Sequence, residues 1–279
     1  MKKLTIAASG LDGLIGSRVR ELLENEFNFI DLNIRIMDIT NRDNVDEVIN
    51  AHEFDIFLHL AAYTNVDGAE EQKDLAKKIN VDGTQYICDA IQRKNKRMAF
   101  MSTGFIFDGE HPPYFEDSQP HPISYYGETK YLAEKILQNR AMIVRIDYPY
   151  GGHVSYKKDL VESISDELNK GNAMKGIVDQ IFTPTLIDDI AYALKHLFQH
   201  FSPEIYHIIG ADSVSGYDIM TTICDVFGYD RSLISETTYD AFYKNRALRP
   251  KKSIMRSKKN SFYSMKTFEQ GLKYLRSHS

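Results

Sequence analysis

The sequence predicts an α/β protein, with a Rossmann-type, doubly wound parallel sheet and a smaller C-terminal substrate-binding region. Short apolar runs typical of buried strands alternate with amphipathic helix patterns along the first half of the chain. The first run, Leu4 to Ala8, is followed by Gly10, Gly13 and Gly16 and then by a helix pattern. Because this alternation builds parallel strands, we expect the carboxyl ends of the strands to share one edge, where a site would form.

The individual elements follow from the apolar periodicity and from the turn residues between the runs. The predicted strands are Leu4–Ala8, Phe27–Leu32, Asp55–Leu60, Met98–Met101, Met142–Ile146 and Ile205–Ile209. The predicted helices are a stretch holding Ile15, Val19, Leu22 and Leu23, then Asp43–Ile49, Ala76–Gln92, a stretch that opens at Tyr126, Asp159–Leu168, Ile187–Phe198, Tyr217–Phe227 and Lys266–Arg276. We assign residues 1–150 to the Rossmann domain and residues 151–279 to the smaller region, with segments that return to the Rossmann domain.

Composition narrows the class of protein. At 279 residues the chain can bury a full hydrophobic core. A formal net charge of -5 argues against nucleic acid as a partner, and no apolar run approaches the length of a membrane span. Cys88 and Cys224 lie in helix patterns and are interpreted as reduced core residues of a cytoplasmic protein. No cluster of cysteine and histidine has metal-ligand spacing, so we predict no metal site.

The glycine triplet indicates a phosphate-binding turn. Glycine lets the backbone approach a pyrophosphate, and the N-terminus of the following helix supplies free N–H groups and a favourable dipole. The strand before and the helix after favour this interpretation over a plain structural turn. At the end of the second strand, Asp31 lies about 20 residues past the glycines, where an acid can accept hydrogen bonds from an adenosine ribose. A turn aspartate is the other interpretation of Asp31.

Two further strand ends hold candidate site residues. Ala61 and Ala62 follow the third strand, and their small side chains leave room for a flat ligand. His59 stands alone in that apolar strand and is interpreted as a satisfied core histidine rather than a ligand. Thr103 follows the next strand. Its hydroxyl could lend a hydrogen bond to the same oxygen that Tyr126, discussed next, would protonate.

Tyr126 and Lys130 are the candidate catalytic pair. Four residues apart on a helix, their side chains share one face. One positive charge at about 4 Å lowers the pKa of a phenol by about three units at most, so we expect Lys130 to make Tyr126 a proton donor and acceptor near neutral pH. Tyr131 and Lys135 repeat the spacing, but they point away from Tyr126 and are interpreted as a solvated or packing face.

Residues 244–259 reverse the charge balance of the chain. This segment contains no acid and holds Lys244, Arg246, Arg249, Lys251, Lys252, Arg256, Lys258 and Lys259. In a net acidic protein such a reversal favours an anionic ligand, for example a nucleotide diphosphate. A solvated basic surface is the alternative.

Together these motifs resemble the extended short-chain dehydrogenase/reductases and, within them, the dTDP-4-dehydrorhamnose reductase family, across nearly the whole chain. The matching segments are Gly10 to Gly16, Asp38-Ile39-Thr40, Ala61 to Thr64 with Val66-Asp67 and Glu70, Ser102-Thr103 with Phe107-Asp108-Gly109, Tyr126 to Lys130, Asp179-Gln180 with Pro184-Thr185, and Arg249-Pro250 with Ser253.

The resemblance implies hydride transfer from NADPH or NADH to the C4 ketone of a nucleotide-activated deoxy sugar. Tyr126 would donate the proton, Lys130 would bind the nicotinamide ribose and tune Tyr126, and Thr103 would polarise the carbonyl. With Asp31, the predicted cofactor-binding residues are Gly10, Gly13, Leu14, Ile15, Gly16, Asp38, Ile39, Ala61, Ala62, Tyr63, Tyr126 and Lys130. The predicted substrate-binding residues are Thr64, Val66, Thr103, Gly104, Tyr148, Gln180 and Arg249. The predicted partner is the nucleotide-sugar substrate, and a homodimer is a further prediction.

Departures from the family pattern leave alternatives open. The family usually has aspartate where this chain has Gly104 and tryptophan where it has Tyr148, and residues 147–149 are otherwise unlike the family loop. A non-catalytic dinucleotide-binding subunit, like the regulatory subunit of methionine adenosyltransferase, and a sugar-nucleotide epimerase are the competing hypotheses. The choice between NADH and NADPH stays open, because Asp31 favours NADH while Arg18 and Arg35 could accommodate a 2′-phosphate.

Overall fold

A computed structural model describes residues 3–152 and 158–278 of the chain. Its strands are β1 Thr5–Ser9, β2 Asn28–Asp31, β3 Ile56–His59, β4 Arg97–Thr103, β5 Met142–Ile146, β6 Pro149–Tyr150, β7 Met174–Ile177, β8 Ile181–Phe182, β9 Thr185–Leu186, β10 Ile205–His207, β11 Val214–Ser215, β12 Ile234–Thr237 and β13 Lys252–Ser253. Its helices are α1 Leu14–Leu23, α2 Arg42–Ala51, α3 Val66–Glu71, α4 Lys73–Lys77, α5 Gly83–Arg93, α6 Tyr125–Leu137, α7 Leu160–Asn169, α8 Ile187–Gln199, α9 Gly216–Phe227, α10 Tyr239–Phe242 and α11 Phe268–His278.

The central sheet has six strands in the order β10-β5-β4-β3-β1-β2, and every pairing within it is parallel. Parallel neighbours need crossover connections, which the helices supply. The strands therefore end at the same edge: Ser9 pairs with His59, and Thr103 pairs with Ile146. The sequence analysis predicted the site at this edge.

Helices cover both faces of this sheet. Successive residues of β1 point to opposite faces: Ile6 and Ala8 belong to the core shared with α1 and α8, whereas Ala7 belongs to the core shared with α2 and α5. All three side chains are fully buried, as expected for a strand of a doubly wound parallel sheet. The prediction of a Rossmann-type fold is confirmed.

The smaller region builds a third core from α7, α9 and α11. Short strands surround it, with β7 paired to β12 and β8 placed between β11 and β13. Part of the second half returns to the Rossmann sheet, because α8 packs on α1 and β10 adds to the edge beside β5. The division at residue 150 stays a prediction.

One predicted helix is interrupted. The stretch predicted as a single helix, Ala76 to Gln92, contains a π-helical turn, Lys78–Asp82, which joins α4 to α5. The turn carries the buried side chain of Asn80, which donates to Thr129 Oγ1 at 2.9 Å and accepts from the Tyr63 amide at 2.7 Å. A buried amide needs such partners, and the widened turn accommodates it there.

Other expectations can be checked against the described residues. Cys88 and Cys224 are buried free thiols, which confirms their interpretation as reduced core residues. Within residues 3–152 and 158–278, no helix combines the length and apolar character needed to cross a membrane. Over the same residues, no group of three or more histidine, cysteine, aspartate or glutamate side chains is arranged to hold a metal ion.

Candidate functional site

A cleft of about 620 Å³ lies at the carboxyl ends of β1, β3, β4 and β5 and is called the main cleft below. Many of the predicted site residues line it: Gly10, Gly13, Leu14, Ile15, Gly16, Ala61, Ala62, Thr64, Val66, Thr103, Tyr126, Lys130 and Tyr148. The structure thus brings the glycine turn, the Tyr126 helix and the Thr103 strand end to one opening. A cleft at this edge is where open α/β sheets bind their ligands.

The glycine turn is shaped for close backbone approach. Gly10 has φ +70°, and a Cβ on it would lie 2.7 Å from the Ala61 amide nitrogen. A Cβ on Gly16 would lie 2.5 Å from the Gly10 carbonyl oxygen. At the start of α1, Gly13 is the N-cap and offers no side chain to the first amides of the helix. These residues fit a dinucleotide, because they leave N–H groups and a positive helix end for a pyrophosphate.

Tyr126 lies in the first turn of α6 and reaches the cleft. The hydroxyl of Ser124 caps this helix by accepting from the Gly127 amide at 3.2 Å. Tyr126 is 8% exposed, and its ring meets Phe105 edge-on with centroids 5.6 Å apart. Burial raises the pKa of Tyr126 to about 12, and a hydrogen bond with Thr103 acts in the opposite direction. The phenol is therefore protonated at neutral pH, as a proton donor must be.

Lys130 lies one helical turn further and is 4% exposed. Its ammonium donates to the Met101 carbonyl at 2.7 Å and lies 3.9 Å from the centre of the Phe100 ring. Burial lowers the pKa of Lys130 to about 7, and Glu134 partly opposes this. The expectation that Lys130 lowers the pKa of Tyr126 is wrong for this arrangement, because the ammonium bonds to the sheet backbone and desolvation outweighs any attraction at the phenol.

A chain of buried hydrogen bonds connects the cleft elements. His59 contacts Ser9 Oγ at 2.7 Å and Thr84 Oγ1 at 3.1 Å through its two ring nitrogens. Burial lowers its pKa to about 3, so the ring is neutral. The interpretation of His59 as a satisfied core histidine is confirmed. Asn80 bonds to the backbone of Tyr63 at two points. Its side-chain oxygen accepts from the Tyr63 N–H, and its side-chain nitrogen donates to the Tyr63 carbonyl at 3.1 Å.

Four of the predicted cofactor residues lie outside the lining of the main cleft. Asp31 is half-buried, and one of its carboxylate oxygens accepts from Asn33 at 3.2 Å. Asp38 accepts from the amide and hydroxyl of Thr40, which hold its pKa below the usual range. Ile39 is a buried member of the core beneath α2, and Tyr63 is half-buried behind the alanines. Their roles in cofactor binding stay predictions.

Arg18 cannot serve as the suggested 2′-phosphate ligand in this arrangement. Its guanidinium forms two parallel hydrogen bonds to Asp188, from Nε at 2.7 Å and from Nη2 at 2.8 Å. Such a bidentate pair fixes the orientation of the side chain and uses Nε and Nη2, while Nη1 donates to Glu21 at 2.8 Å. Arg18 thus fastens α1 to α8, and that suggestion is corrected. Arg35 is exposed on the turn after β2, and its role stays a prediction.

On the substrate side, Tyr148 has an unusual backbone. Its φ is +38°, a left-handed conformation that is rare for a residue other than glycine. Its ring stacks on Phe182 with centroids 3.8 Å apart, which ties the end of β5 to β8. Gly104 follows Thr103 and is buried behind the cleft wall. Gln180 is also buried, where it donates to the Pro250 carbonyl at 3.3 Å and accepts from the Tyr243 hydroxyl at 3.2 Å.

The basic segment 244–259 is extensively paired. Arg249 donates to both carboxylate oxygens of Asp67, at 3.0 and 2.9 Å, and its guanidinium lies 4.8 Å from the centre of the Tyr243 ring. Other cations of the segment also meet distant acids, in the pairs Lys251–Asp179, Lys258–Asp117 and Lys259–Glu204. The segment itself contains no acids, but acids from distant parts of the chain pair with many of its cations. The fold therefore neutralises much of the positive charge of the segment. Neither Gln180 nor Arg249 lines the main cleft, and their contacts with substrate stay predictions.

The second tyrosine–lysine pair faces elsewhere. Tyr131 and Lys135 line another cleft, of about 570 Å³, beside residues 116–120 and β10. The Lys135 ammonium lies 5.0 Å from the centre of the Tyr131 ring, and Gln119 donates to the Tyr131 hydroxyl at 3.3 Å. The two pairs do not share one site, as the helical geometry predicted.

Some cleft residues were missed by sequence reasoning. Phe105 packs between Tyr126 and Tyr148, with ring centroids 5.6 and 5.7 Å away. Asp159 accepts from the amides of Gly151 and of the following residue, at 2.6 and 3.1 Å, and caps α7 with a capping box. A signal for Asp159 existed, because an acid before a helix with glutamate three positions later is typical of an N-cap. Nothing local marked Phe105.

Comparison with known proteins agrees with this geometry. Residues 4–277 match the family described as the RmlD substrate binding domain. The chain belongs to that family. The dTDP-4-dehydrorhamnose reductase of Aggregatibacter actinomycetemcomitans is 32% identical over 238 residues, which cover 81% of this chain and 79% of that protein. The methionine adenosyltransferase 2 subunit beta of Xenopus laevis is 26% identical over 248 residues, which cover 82% of this chain and 74% of the relative.

Solved structures of RmlD-family proteins share the whole fold. A crystal structure of dTDP-4-dehydrorhamnose reductase from Bacillus anthracis in complex with NADP superposes with a TM-score of 0.93, at 27% identity and with all of both chains covered. The predicted family, fold class and oxidoreductase class are confirmed by these matches.

Proposed function

We propose that this RmlD-family protein reduces the C4 ketone of a nucleotide-activated deoxy sugar with NADPH or NADH. The observation that carries the proposal is the meeting of Thr103, Tyr126 and Lys130 with the glycine turn around one cleft. A reduced nicotinamide, when bound, supplies a hydride for the carbonyl carbon. The relatives named above, with a reductase and an NADP complex among them, support the same reaction class.

The roles of the side chains follow from their protonation and burial. Tyr126, protonated at neutral pH, gives its hydroxyl proton to the alkoxide oxygen as that oxygen forms. Thr103 donates a hydrogen bond to the same oxygen and stabilises its developing charge. Lys130, whose ammonium donates to the Met101 carbonyl here, would hold the nicotinamide ribose of a bound cofactor and would then bring its positive charge nearer to Tyr126. The nucleotide-sugar substrate, a cytoplasmic location and a homodimer remain predictions that accompany this proposal.

The test is oxidation of NADPH against a panel of 4-keto nucleotide sugars, with the parent protein and two variants. Tyr126→Phe deletes the transferable proton, so we expect turnover to fall by about 100- to 10,000-fold with the NADPH dissociation constant unchanged. Tyr131→Phe is the matched control, because it deletes a hydroxyl from the same helix in the other cleft, and it should retain parental turnover. Parental turnover in Tyr126→Phe would refute the catalytic assignment.

A non-catalytic dinucleotide-binding subunit is the second candidate. The observation in its favour is the position of Lys130, whose ammonium is bonded to the Met101 carbonyl rather than placed beside the phenol. The match to a methionine adenosyltransferase subunit also favours this candidate. Copurification with a larger enzyme, together with no cofactor turnover on any keto sugar, would favour this candidate. An epimerase would instead retain NAD through purification, whereas a reductase exchanges its cofactor.

A further inference from the structure

The carboxyl group of Asp147 lies beside Gly104, the residue that follows the predicted catalytic threonine. Strands β4 and β5 end side by side, with Thr103 paired to Ile146, and the next residues are Gly104 and Asp147. Asp147 is 1% exposed. A Cβ placed on Gly104 would lie 2.8 Å from Asp147 Oδ1, closer than real Cβ contacts allow. Asp147 therefore uses space that exists only because residue 104 lacks a side chain.

Two buried oxygens meet at this place without hydrogen-bond partners. Asp147 Oδ2 accepts from the Thr183 amide at 2.9 Å, but Asp147 Oδ1 and Ser253 Oγ have no partner within hydrogen-bonding geometry. Both unpaired oxygens lie 2.8 Å from the position of a Cβ on Gly104. Leaving buried polar atoms unpaired is unfavourable. A small adjustment can pair the two oxygens in either of two ways: the Ser253 hydroxyl donates to an ionised Oδ1, or a proton on Oδ1 is donated to Ser253.

The electrostatics of the position favour that proton. Burial raises the pKa of Asp147 to about 8, while the Thr183 amide and the Ser253 hydroxyl act in the opposite direction. At neutral pH the carboxyl is therefore mainly neutral, and a neutral carboxyl has one donor and one acceptor to place.

The partners of Asp147 belong to the segments that carry the predicted substrate residues. Thr183 Oγ1 donates to the Ser253 carbonyl at 3.1 Å and accepts from the Met255 amide at 3.2 Å. Strand β13, which contains Ser253, runs parallel to β8 and begins two positions after Pro250. The joint between Thr183 and Ser253 thus fixes the C-terminal segment that holds Arg249.

We propose that Asp147 is a positioning residue for the substrate: its protonated carboxyl joins Thr183 to Ser253 beside Gly104 and so sets the Arg249 segment against the end of β4. The inference rests on the proposed function, because it assigns this joint to the nucleotide-sugar half of the site. The inference also explains why residue 104 is glycine, because any side chain at that position would displace the Asp147 carboxyl. The glycine turn that receives the dinucleotide lies on other strands and does not depend on this joint.

The test compares Asp147→Ala, Asp147→Asn and Gly104→Ala in the full-length protein. Asp147→Ala removes the joint and should raise the KM for the keto-sugar nucleotide about tenfold, with an unchanged NADPH dissociation constant. Asp147→Asn should restore most of the loss, because an amide can also accept from Thr183 and donate to Ser253. Gly104→Ala should act like Asp147→Ala, since its methyl group meets the carboxyl. Asp225→Ala, which removes an exposed acid of α9, is the control and should match the parent.

Three results would overturn the inference. An unchanged KM in Asp147→Ala would show that the joint does not set the substrate. Equal losses of NADPH and sugar affinity would show a general structural role. Asp147→Asn as impaired as Asp147→Ala would show that a proton-bearing group is not what the position needs.

A binding measurement separates this inference from the proposed reaction. Calorimetric titration with thymidine diphosphate and with uridine diphosphate needs no turnover. Asp147-dependent binding of either diphosphate, without reduction of any keto sugar, would refute the proposed reaction and retain the positioning role. A parent protein that binds neither diphosphate and reduces no keto sugar would overturn both.

Discussion

The pH dependence of ketone reduction tests the catalytic pair in most depth. In the free protein, burial raises the pKa of Tyr126 to about 12 and lowers that of Lys130 to about 7. An ammonium brought to about 4 Å from the phenol at an effective dielectric of about 20 favours the phenolate by about 4 kcal/mol, or about three pKa units. While Lys130 is protonated, such a charge lowers the pKa of Tyr126 from about 12 to about 9, but the Lys130 pKa of about 7 means that this charge is lost first as the pH rises.

The sign of the pH effect follows from the roles of Tyr126 and Lys130. Tyr126 stays protonated near neutral pH, but its proton transfer is assisted only while Lys130 is charged, so kcat should fall from a higher to a lower plateau as the pH rises through about 7. Lys130→Met removes the charge and keeps an unbranched chain. In that variant kcat should stay at the lower level throughout, and the decline near pH 7 should be absent, which leaves only a decline towards about 12, the pKa that burial gives the phenol.

The assay is the initial rate of NADPH oxidation at saturating keto-sugar nucleotide from the mildly acidic to the alkaline range. Lys135→Met is the matched control, because it removes a lysine at the same spacing from a tyrosine of α6 that faces the other cleft. A parental kcat that stays level as the pH rises through about 7 would refute the reasoning. So would a decline centred at neutral pH that persists in Lys130→Met, because another group would then control the rate.

Three further predictions concern the supporting structure. Gly10→Ala places a Cβ 2.7 Å from the backbone of the loop after β3 at φ +70°, so we expect weaker NADPH binding by calorimetry together with a lower Tm. Glu134→Gln leaves the fully buried Arg145 without its carboxylate, and we expect a loss of about 3 kcal/mol or more in urea unfolding; a loss below about 1 kcal/mol would contradict this. Arg18→Gln breaks the pair with Asp188 and should lower the Tm without changing the ratio of KM for NADPH to KM for NADH, whereas a shifted ratio would restore the 2′-phosphate role.

Local pattern was sufficient for the sheet and for the glycine turn. Each strand of a buried parallel sheet is a short apolar run, so Met142–Ile146 was predicted at the bounds that the structure has. The turn at Gly10 was predicted for the same reason, since its strand, glycines and helix are contiguous. The π-helical turn was not predicted, because one inserted residue leaves the apolar period of the surrounding helix nearly unchanged.

Features that depend on distant residues were beyond local pattern. The spacing of Tyr126 and Lys130 predicted a shared helix face and a shared cleft, but it could not tell that the Met101 carbonyl would take the ammonium. The partner of Arg249 lies 182 positions earlier, at Asp67, so the basic segment looked unpaired. The place of Asp147 behind Gly104 also required the sheet register to be known.

The long reach of the Arg249–Asp67 contact has a consequence for how the protein folds. The central sheet up to β5 pairs strands that lie at most two elements apart in strand order, as β1 does with β3, whereas this ion pair must close a loop of 182 positions. Closing a long loop costs chain entropy before the contact contributes any stability, so such contacts form slowly and late in folding. We therefore expect a folding order in which the N-terminal part of the central sheet becomes native first, while the segment that holds Arg249 is completed by a separate, slower phase that Arg249→Gln should alter.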